Sequence, residues 1–468
     1  MSDYTLLNFT GLSLSIDTPD KTASSSIVDR NVTAFITNTD RPDQVVTAAL
    51  PSRSKRTPRR DVGWREIPLK MASDRASFRT DKMPLLDKVA DIVTDSQDIP
   101  GYKAFFKQAK DPRNPSTVLV LPRIDLARHL SVMPDHTSLA DLLLPGTHDS
   151  VAFYGWPFTQ CQEIGCTLTT QLNEGIRFFD IRLKLKRGIL LAFHGPWPQL
   201  TTFQTMLSEI SQFLSINPHE TLIVCIQQET SLHPDFSRTV REDMQGTIDA
   251  GKWFLENRVP TLGEVRGKAV LMSRFGGGDG PDGSIPWEVP VGWGRNKEVR
   301  MGWRPNRWPD SVIEGFEWEC GTTEVRTQDW YEIHGVFNIP AKSSVLTDHL
   351  LSGSHLPSRS NLTLSFSSAG SIPFALPSFV AKGFGWPDWG LGYRGVNELL
   401  RDWLLDRLEA QAQARHRGPG SKPSSGPADE EERIRGIVPM DYYRKFGIVD
   451  VMLAYNTVQV GLKTELYA

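Results

Sequence analysis

From Leu139 onward the chain returns again and again to short apolar runs of strand-forming residues, and between them it turns amphipathic. The runs are LADLLLPG (139–146), GIRFFDIRLK (175–184), GILLAFHG (188–195), TLIVCIQQE (221–229), GKAVLMSRF (267–275), NLTLSFSSA (361–369) and IRGIVPMD (434–441). Most lack the strict in–out alternation of a half-solvated sheet, so they need cover on both faces, as parallel strands do. Between them, residues 202–217 place Phe203, Met206, Leu207, Ile210, Phe213 and Leu214 on one helical stripe, and VNELLRDWLLDRLEAQAQA (396–414) forms another helix. Strands alternating with helices imply an α/β fold, and this many repeats favour a distorted TIM-type (β/α) barrel.

The barrel is expected over residues 131–468, and residues 1–130 read as a smaller β-rich module. There, short β-prone runs (Tyr4–Ile16, Asn31–Ile36, Val45–Leu50, Val118–Leu121) are split by Asp, Pro, Ser and Thr. Only Leu85–Asp95 has helical periodicity. A basic cluster, SRSKRTPRRD (52–61), reads first as a solvated loop and second as a contact for anionic lipid or a nuclear import signal. Within the barrel, residues 276–330 form a Trp-rich insertion and residues 417–433 a low-complexity loop, expected to be mobile.

Lys and Arg number 52 against 55 Asp and Glu, so no global positive field exists to collect nucleic acid. No run of 18 apolar residues appears, and the N-terminus shows no basic, then apolar, leader pattern. The four cysteines (Cys161, Cys166, Cys225, Cys320) are too few for a disulfide framework and form no C-x-x-C pair. The expectation is reduced thiols in a cytoplasmic protein, with peripheral contact to a membrane open.

In a barrel, the C-terminal ends of strands face the reaction site. Four such ends carry Gly146-Thr147-His148-Asp149-Ser150, Asp180-Ile181-Arg182, His194-Gly195 and Asp441. Asp180 and Arg182, two apart on a strand, point the same way. Buried among Ile, Phe and Leu they need each other or a charged ligand. Two histidines, an arginine and three carboxylates suit acid–base cleavage of a phosphodiester: one imidazole takes a proton, the other gives one, and the guanidinium neutralises phosphoryl oxygens.

LLLPGTHDSVAFYG, GIRFFDIRLK, LLAFHGP and FLSINPHETLIVCIQQE, in that order, resemble the X domain of phosphatidylinositol-specific phospholipase C of the bacterial type, also found in fungal proteins. The likeness covers residues 138–275 well and extends more loosely to about residue 456. It implies that His148 is the general base, Asp441 its orienting partner, His194 the general acid and Arg182 the phosphate ligand. Asp149 and Asp180 would hold the acid histidine and the arginine. It also implies a phospholipid substrate at a membrane surface and a cyclic inositol phosphate as intermediate or product. No cofactor and no metal are expected, because the Arg182 guanidinium supplies fixed charge where calcium-dependent relatives place acidic ligands. Arg274, Asp329 and Tyr331 match the family's head-group contacts. Gln228 stands where bacterial members carry lysine, which leaves open another head group or a glycosylated inositol lipid. Trp156 and Trp197 are rim candidates. A catalytically weak lipid-binding barrel is the alternative; a metal-dependent glycerophosphodiesterase-like barrel is disfavoured by Arg182.

Overall fold

A computed structural model describes residues 116–229, 233–276, 293–295, 298–357, 360–387, 391–416 and 433–460, with strand segments 4–8, 14–17, 26–28, 33–36, 45–52, 63–70, 92–99 and 102–108. Most of the basic cluster (53–61), the Gly-rich stretch 277–283, Trp287 and residues 417–432 lie outside the described residues. The chain divides into two compact units: one of residues 125–401 and 428–456, the other of 1–124, 402–427 and 457–468.

In the second unit the described strands form two sheets. One has five strands in the order Thr33–Ile36, Tyr4–Asn8, Ser116–Pro122, Tyr102–Gln108, Ile92–Ile99; the other has four, Ser26–Val28, Leu14–Asp17, Val45–Ser52, Gly63–Lys70. The helical periodicity read over Leu85–Asp95 is overridden from Ile92, where the chain joins Tyr102–Gln108 as an antiparallel hairpin strand. Inside the same unit Lys107 Nζ lies 2.7 Å from both Asp406 and Glu409, and Thr117 Oγ1 donates to Glu409 at 2.9 Å.

The first unit holds the barrel sheet. Its strands, in chain order, are β1 (Leu143–Thr147), β2 (Phe178–Lys186), β3 (Ile189–His194), β4 (Trp197–Thr202), β5 (Leu222–Gln228), β6 (Trp253–Phe254), β7 (Ala269–Arg274), β8 (Phe316–Cys320), β9 (Thr323–Gln328), β10 (Asn361–Ser365) and β11 (Gly436–Met440). The spatial order β6-β7-β5-β2-β1-β11-β10-β9-β8 is parallel throughout, except that β8 returns antiparallel on β9. The sheet is therefore a curled, incomplete circle of the expected α/β barrel type.

Helices follow from the amphipathic segments: α1 (Leu168–Asn173), α2 (Phe203–Ile216), α3 (Phe236–Asp249), α4 (Ile339–Ser354) and α5 (Ile448–Val460). The stripe read for α2 is the buried face of the helix, and Thr202 caps it by accepting from Thr205 N. The run LADLLLPG is not all strand. Ser138 and Asp141 form a capping box around a single 3-10 turn, so β1 begins only at Leu143. From α5, Asn456 accepts from the Leu143 amide (2.8 Å) and donates to its carbonyl (2.9 Å), satisfying both backbone groups in a buried place.

One part of the strand reading needs correction. GILLAFHG is no barrel strand. β2 runs on past the sheet, and β3 and β4 fold back on it as an antiparallel ribbon outside the parallel path. The two-residue turn Arg187-Gly188, both in left-handed backbone, makes a hairpin where a barrel crossover would need a helix.

Candidate active site

Parallel register decides which side chains share a face. Asp180 aligns with Cys225, Arg182 with Gln227, and Gln227 with Arg274. Gly146 aligns with Phe178 and with Pro439, so His148 and Asp441, each two residues further on, continue the face that carries Asp180. Asp329 and Phe366 fall on it by the same count through β9 and β10. Gly146 is needed for this close approach: a Cβ there would sit 2.9 Å from the Phe178 Cβ. Both strands that carry the first pair end in left-handed turns at non-glycine residues, Asp149 (φ 42°) and Tyr442 (φ 46°).

His148 Nδ1 lies 2.9 Å from Asp441 Oδ1, and its Nε2 lies 2.8 Å from Arg182 Nη2. Arginine can only donate, so Nε2 is the acceptor and Nδ1–H donates to Asp441. The imidazole thus already holds the tautomer of a base. Burial works against its charged form, yet Asp441 outweighs burial, and the His148 pKa stands above the ordinary imidazole value. Arg182 Nε lies 3.3 Å from Asp180 Oδ2 and 3.5 Å from Asp149 Oδ2. For Asp180, burial is overcome by Arg182 and His148, which hold the carboxyl below its usual range. For Asp149 burial dominates and raises it.

His194, on the ribbon, brings Nδ1 to 2.7 Å from the Thr159 carbonyl and 3.4 Å from Asp149 Oδ2. A carbonyl only accepts, so Nδ1 carries a proton. The six predicted catalytic residues therefore meet around Arg182, although His194 arrives on the antiparallel ribbon and not on a barrel strand.

The predicted head-group residues divide. Arg274 lies on the same face, and its guanidinium sits 3.6 Å from the ring centre of Trp308. Trp308 Nε1–H donates to Asp329 Oδ2 at 3.0 Å, tying the two candidates through one indole. Tyr331 is 39% exposed, enough to offer a ring face, while its hydroxyl donates to Asp310. Gln228 is a correction: its register partner is Leu183, on the opposite face from Arg182, whereas Gln227 lies between Arg182 and Arg274. Gln227 Oε1 is buried without a hydrogen bond.

Sequence reasoning missed four supports. Gln162 Nε2 donates to the carbonyls of His148 (2.8 Å) and Met440 (2.9 Å), stapling the ends of β1 and β11. Buried Lys342 donates to the Trp330 carbonyl at 2.7 Å beside Asp329, and burial lowers its pKa to about 7. Its signal was legible, since Lys342 interrupts the apolar stripe Ile339, Leu346, Leu350 of α4. Phe366 meets His148 edge-on with ring centres 6.2 Å apart. Cys161 Sγ lies 3.7 Å from His194 Nδ1.

The Trp-rich segment resolves toward packing: Trp293, Trp303, Trp318 and Trp330 are buried, and Trp303 Nε1 donates to Arg258 O. Trp156 (74% exposed) and Trp197 (50%) stand out to solvent.

Comparison with known proteins bears on the family and the fold. Residues 159–275 match the family described as phosphatidylinositol-specific phospholipase C, X domain. A 1-phosphatidylinositol phosphodiesterase of Listeria monocytogenes is 35% identical over 157 residues, 31% of this chain and 47% of that protein. The chain thus spans about half the length of that relative. A 1-phosphatidylinositol phosphodiesterase of Staphylococcus aureus (strain Newman) is 29% identical over 234 residues, 46% of this chain and 69% of that protein. A solved variant of phosphatidylinositol-specific phospholipase C from Staphylococcus aureus shares the fold, with TM-score 0.50 and 20% identity over 71% of this chain and 98% of that one. Motif order and these matches together liken residues 159–275 to the X domain of the phosphatidylinositol-specific phospholipase C family.

Proposed function

We propose that this protein is a phosphoric diester hydrolase of the phospholipase C kind, acting on a phosphatidylinositol-type lipid at a membrane surface. One observation carries the reading: His148 is oriented by Asp441 on one ring nitrogen and touches Arg182 with the other. A phosphodiester entering the site draws the guanidinium onto its oxygens and frees His148 Nε2 for the inositol 2-hydroxyl. The hydroxyl oxygen attacks phosphorus as its proton passes to His148. The bond to the diacylglycerol oxygen breaks, and that oxygen takes a proton from His194. The product is a 1,2-cyclic phosphate, which the reverse assignment of acid and base opens with water. Asp149 and Asp180 keep Arg182 and His194 in place. Arg274, Asp329 and Tyr331 serve the ring, with Trp308 as their common support. Gln227 adds no further cation between Arg182 and Arg274, which leaves a glycosylated inositol ring as open as an unmodified one.

The four cysteines are unbonded and buried, which accords with the cytoplasmic location proposed for the chain. Incubating the protein with phosphatidylinositol vesicles and following phosphorus NMR tests the function. A five-membered cyclic phosphate resonance is expected. Vesicle binding with no turnover would instead identify a lipid-binding barrel and sink the catalytic reading.

A further inference from the structure

Lys342 stands where a helix packed on a sheet should carry an apolar side chain. It is wholly buried on α4, the crossover from β9 to β10, beside Ile339, Leu346 and Leu350. An amine buried in such company destabilises the fold unless it is well partnered, and a methionine of similar length would not. No step of the cleavage uses this amine.

Its partners are the two neighbours of Asp329. The Nζ donates to the Trp330 carbonyl at 2.7 Å. In the amide orientation that satisfies both of its polar atoms, Gln328 accepts from Lys342 and from the Trp330 amide, each at 3.2 Å, and donates to the Phe366 carbonyl at 3.1 Å. Gln328 aligns with Ser365, and its side chain meets the helix layer, so Asp329, one residue on, faces the site. Lys342 therefore grips the end of β9 from behind, on both sides of the residue that reaches the front. Burial disfavours the charged amine, and the carboxylates of Asp329 and Asp441 favour it. In front, Asp329 Oδ2 accepts from the Trp308 indole N–H at 3.0 Å, and the centre of that indole lies 3.6 Å from the Arg274 guanidinium.

We propose that Lys342 is a positioning residue for recognition of the substrate's ring: from behind the barrel wall it holds Asp329, and through Asp329 the Trp308–Arg274 pair, where the ring must dock. The consequence for substrate rests on the head-group role proposed for Asp329; the link from Lys342 to Trp308 does not. Without the amine, the Trp330 carbonyl and one acceptor site of Gln328 are left buried and unmet, and the end of β9 shifts to find other donors. That shift displaces the ring contacts. His148, Asp441 and Arg182 are tied by their own bonds and stay in place. Weaker binding with intact chemistry is the signature of such a role.

Nitrogen-15 labelling of the tryptophans in the full chain reads the link directly. Trp308→Phe assigns the Trp308 indole N–H resonance, and Asp329→Asn should move it. Lys342→Met should move it too; an unmoved resonance overturns the proposal whether or not any lipid is cleaved. Lys342→Leu should behave alike, and decides the matter if the methionine variant does not fold. With a soluble inositol phosphodiester, Lys342→Met should raise KM at least about 5-fold and keep kcat within about 2-fold. Asp329→Asn should raise KM about 10-fold, and the double variant no further, because the lysine acts through the carboxylate. Multiplied effects on KM, about 50-fold, or a fall in kcat with KM unchanged, would show that Lys342 acts elsewhere. If the unaltered protein turns over no substrate, the cleavage reading falls and the resonance alone decides the link.

Discussion

His148 shows how much one side chain's surroundings can specify. Asp441 fixes its tautomer and lifts its pKa, and Arg182 reads the lone pair that the proposed reaction needs. Replacing His148 or His194 with alanine should lower turnover by at least about 10²-fold, the general acid–base contribution. Near-normal rates in either variant would remove its role. As the proposed base, His148 must be neutral, so the acidic limb of kcat/KM should lie above the ordinary histidine value. Asp441→Asn keeps the shape but removes the charge that raises His148. That limb should then move to lower pH, and a pH–rate profile with an unmoved limb would contradict the pairing. The residues of this cluster were legible because each is a polar group placed where a buried strand would avoid it. Gln227 was not separable from Gln228 by sequence, since only the register tells which of two successive residues faces the centre. Cys161 was hidden for another reason: a buried thiol is also ordinary core material.

At the level of elements, the barrel strands were readable from their unbroken apolar runs, and α2 from its stripe. The ribbon was not, because β3 has the same apolar character and only its two-residue turn betrays the hairpin. The Trp-rich segment was legible only as composition; Trp293, Trp303, Trp318 and Trp330 fill space between elements that the sequence could not place side by side. Gln162 illustrates what joins separate elements into one site. It binds the last carbonyls of two strands nearly three hundred residues apart along the chain. Gln162→Leu should leave the fold in place but let β1 and β11 separate at their ends. A small displacement of catalytic groups costs up to about 10²-fold, so kcat should fall at least about 10-fold with KM little changed. Steady-state kinetics beside a circular dichroism spectrum decides this; an unchanged kcat would show that the staple is idle.

Within the barrel unit, large exposed apolar side chains gather on segments that follow the C-terminal ends of strands. They include Trp156 and Phe158 after β1, Trp197 on the ribbon, Ile372 and Phe374 after β10, and Trp386 beyond. That is the end of the barrel where the candidate catalytic cluster lies. Side chains this large are usually hidden, and at a lipid interface they would be. The described helices include none long and apolar enough to cross a membrane. Trp156→Ala combined with Trp386→Ala should therefore weaken binding to phosphatidylcholine vesicles by at least about 10-fold, since burying even part of two indoles exceeds ~1.4 kcal/mol. Hydrolysis of a soluble inositol phosphodiester should be unaffected. Sedimentation with vesicles gives the answer, and unchanged partitioning would place the lipid contact elsewhere.

His194, the proton donor proposed for the departing alcohol, rides on the ribbon as a flap, while His148 and Asp441, proposed to activate the nucleophile, stand at the ends of the barrel strands that form the wall. Bond making and leaving-group assistance are thus housed in separable parts. A substrate whose alcohol departs readily unaided would depend on the wall alone. Comparing such an activated ester with a natural lipid would measure how far the flap's contribution can be altered, by heat or by redesign of its turn, while the wall keeps working.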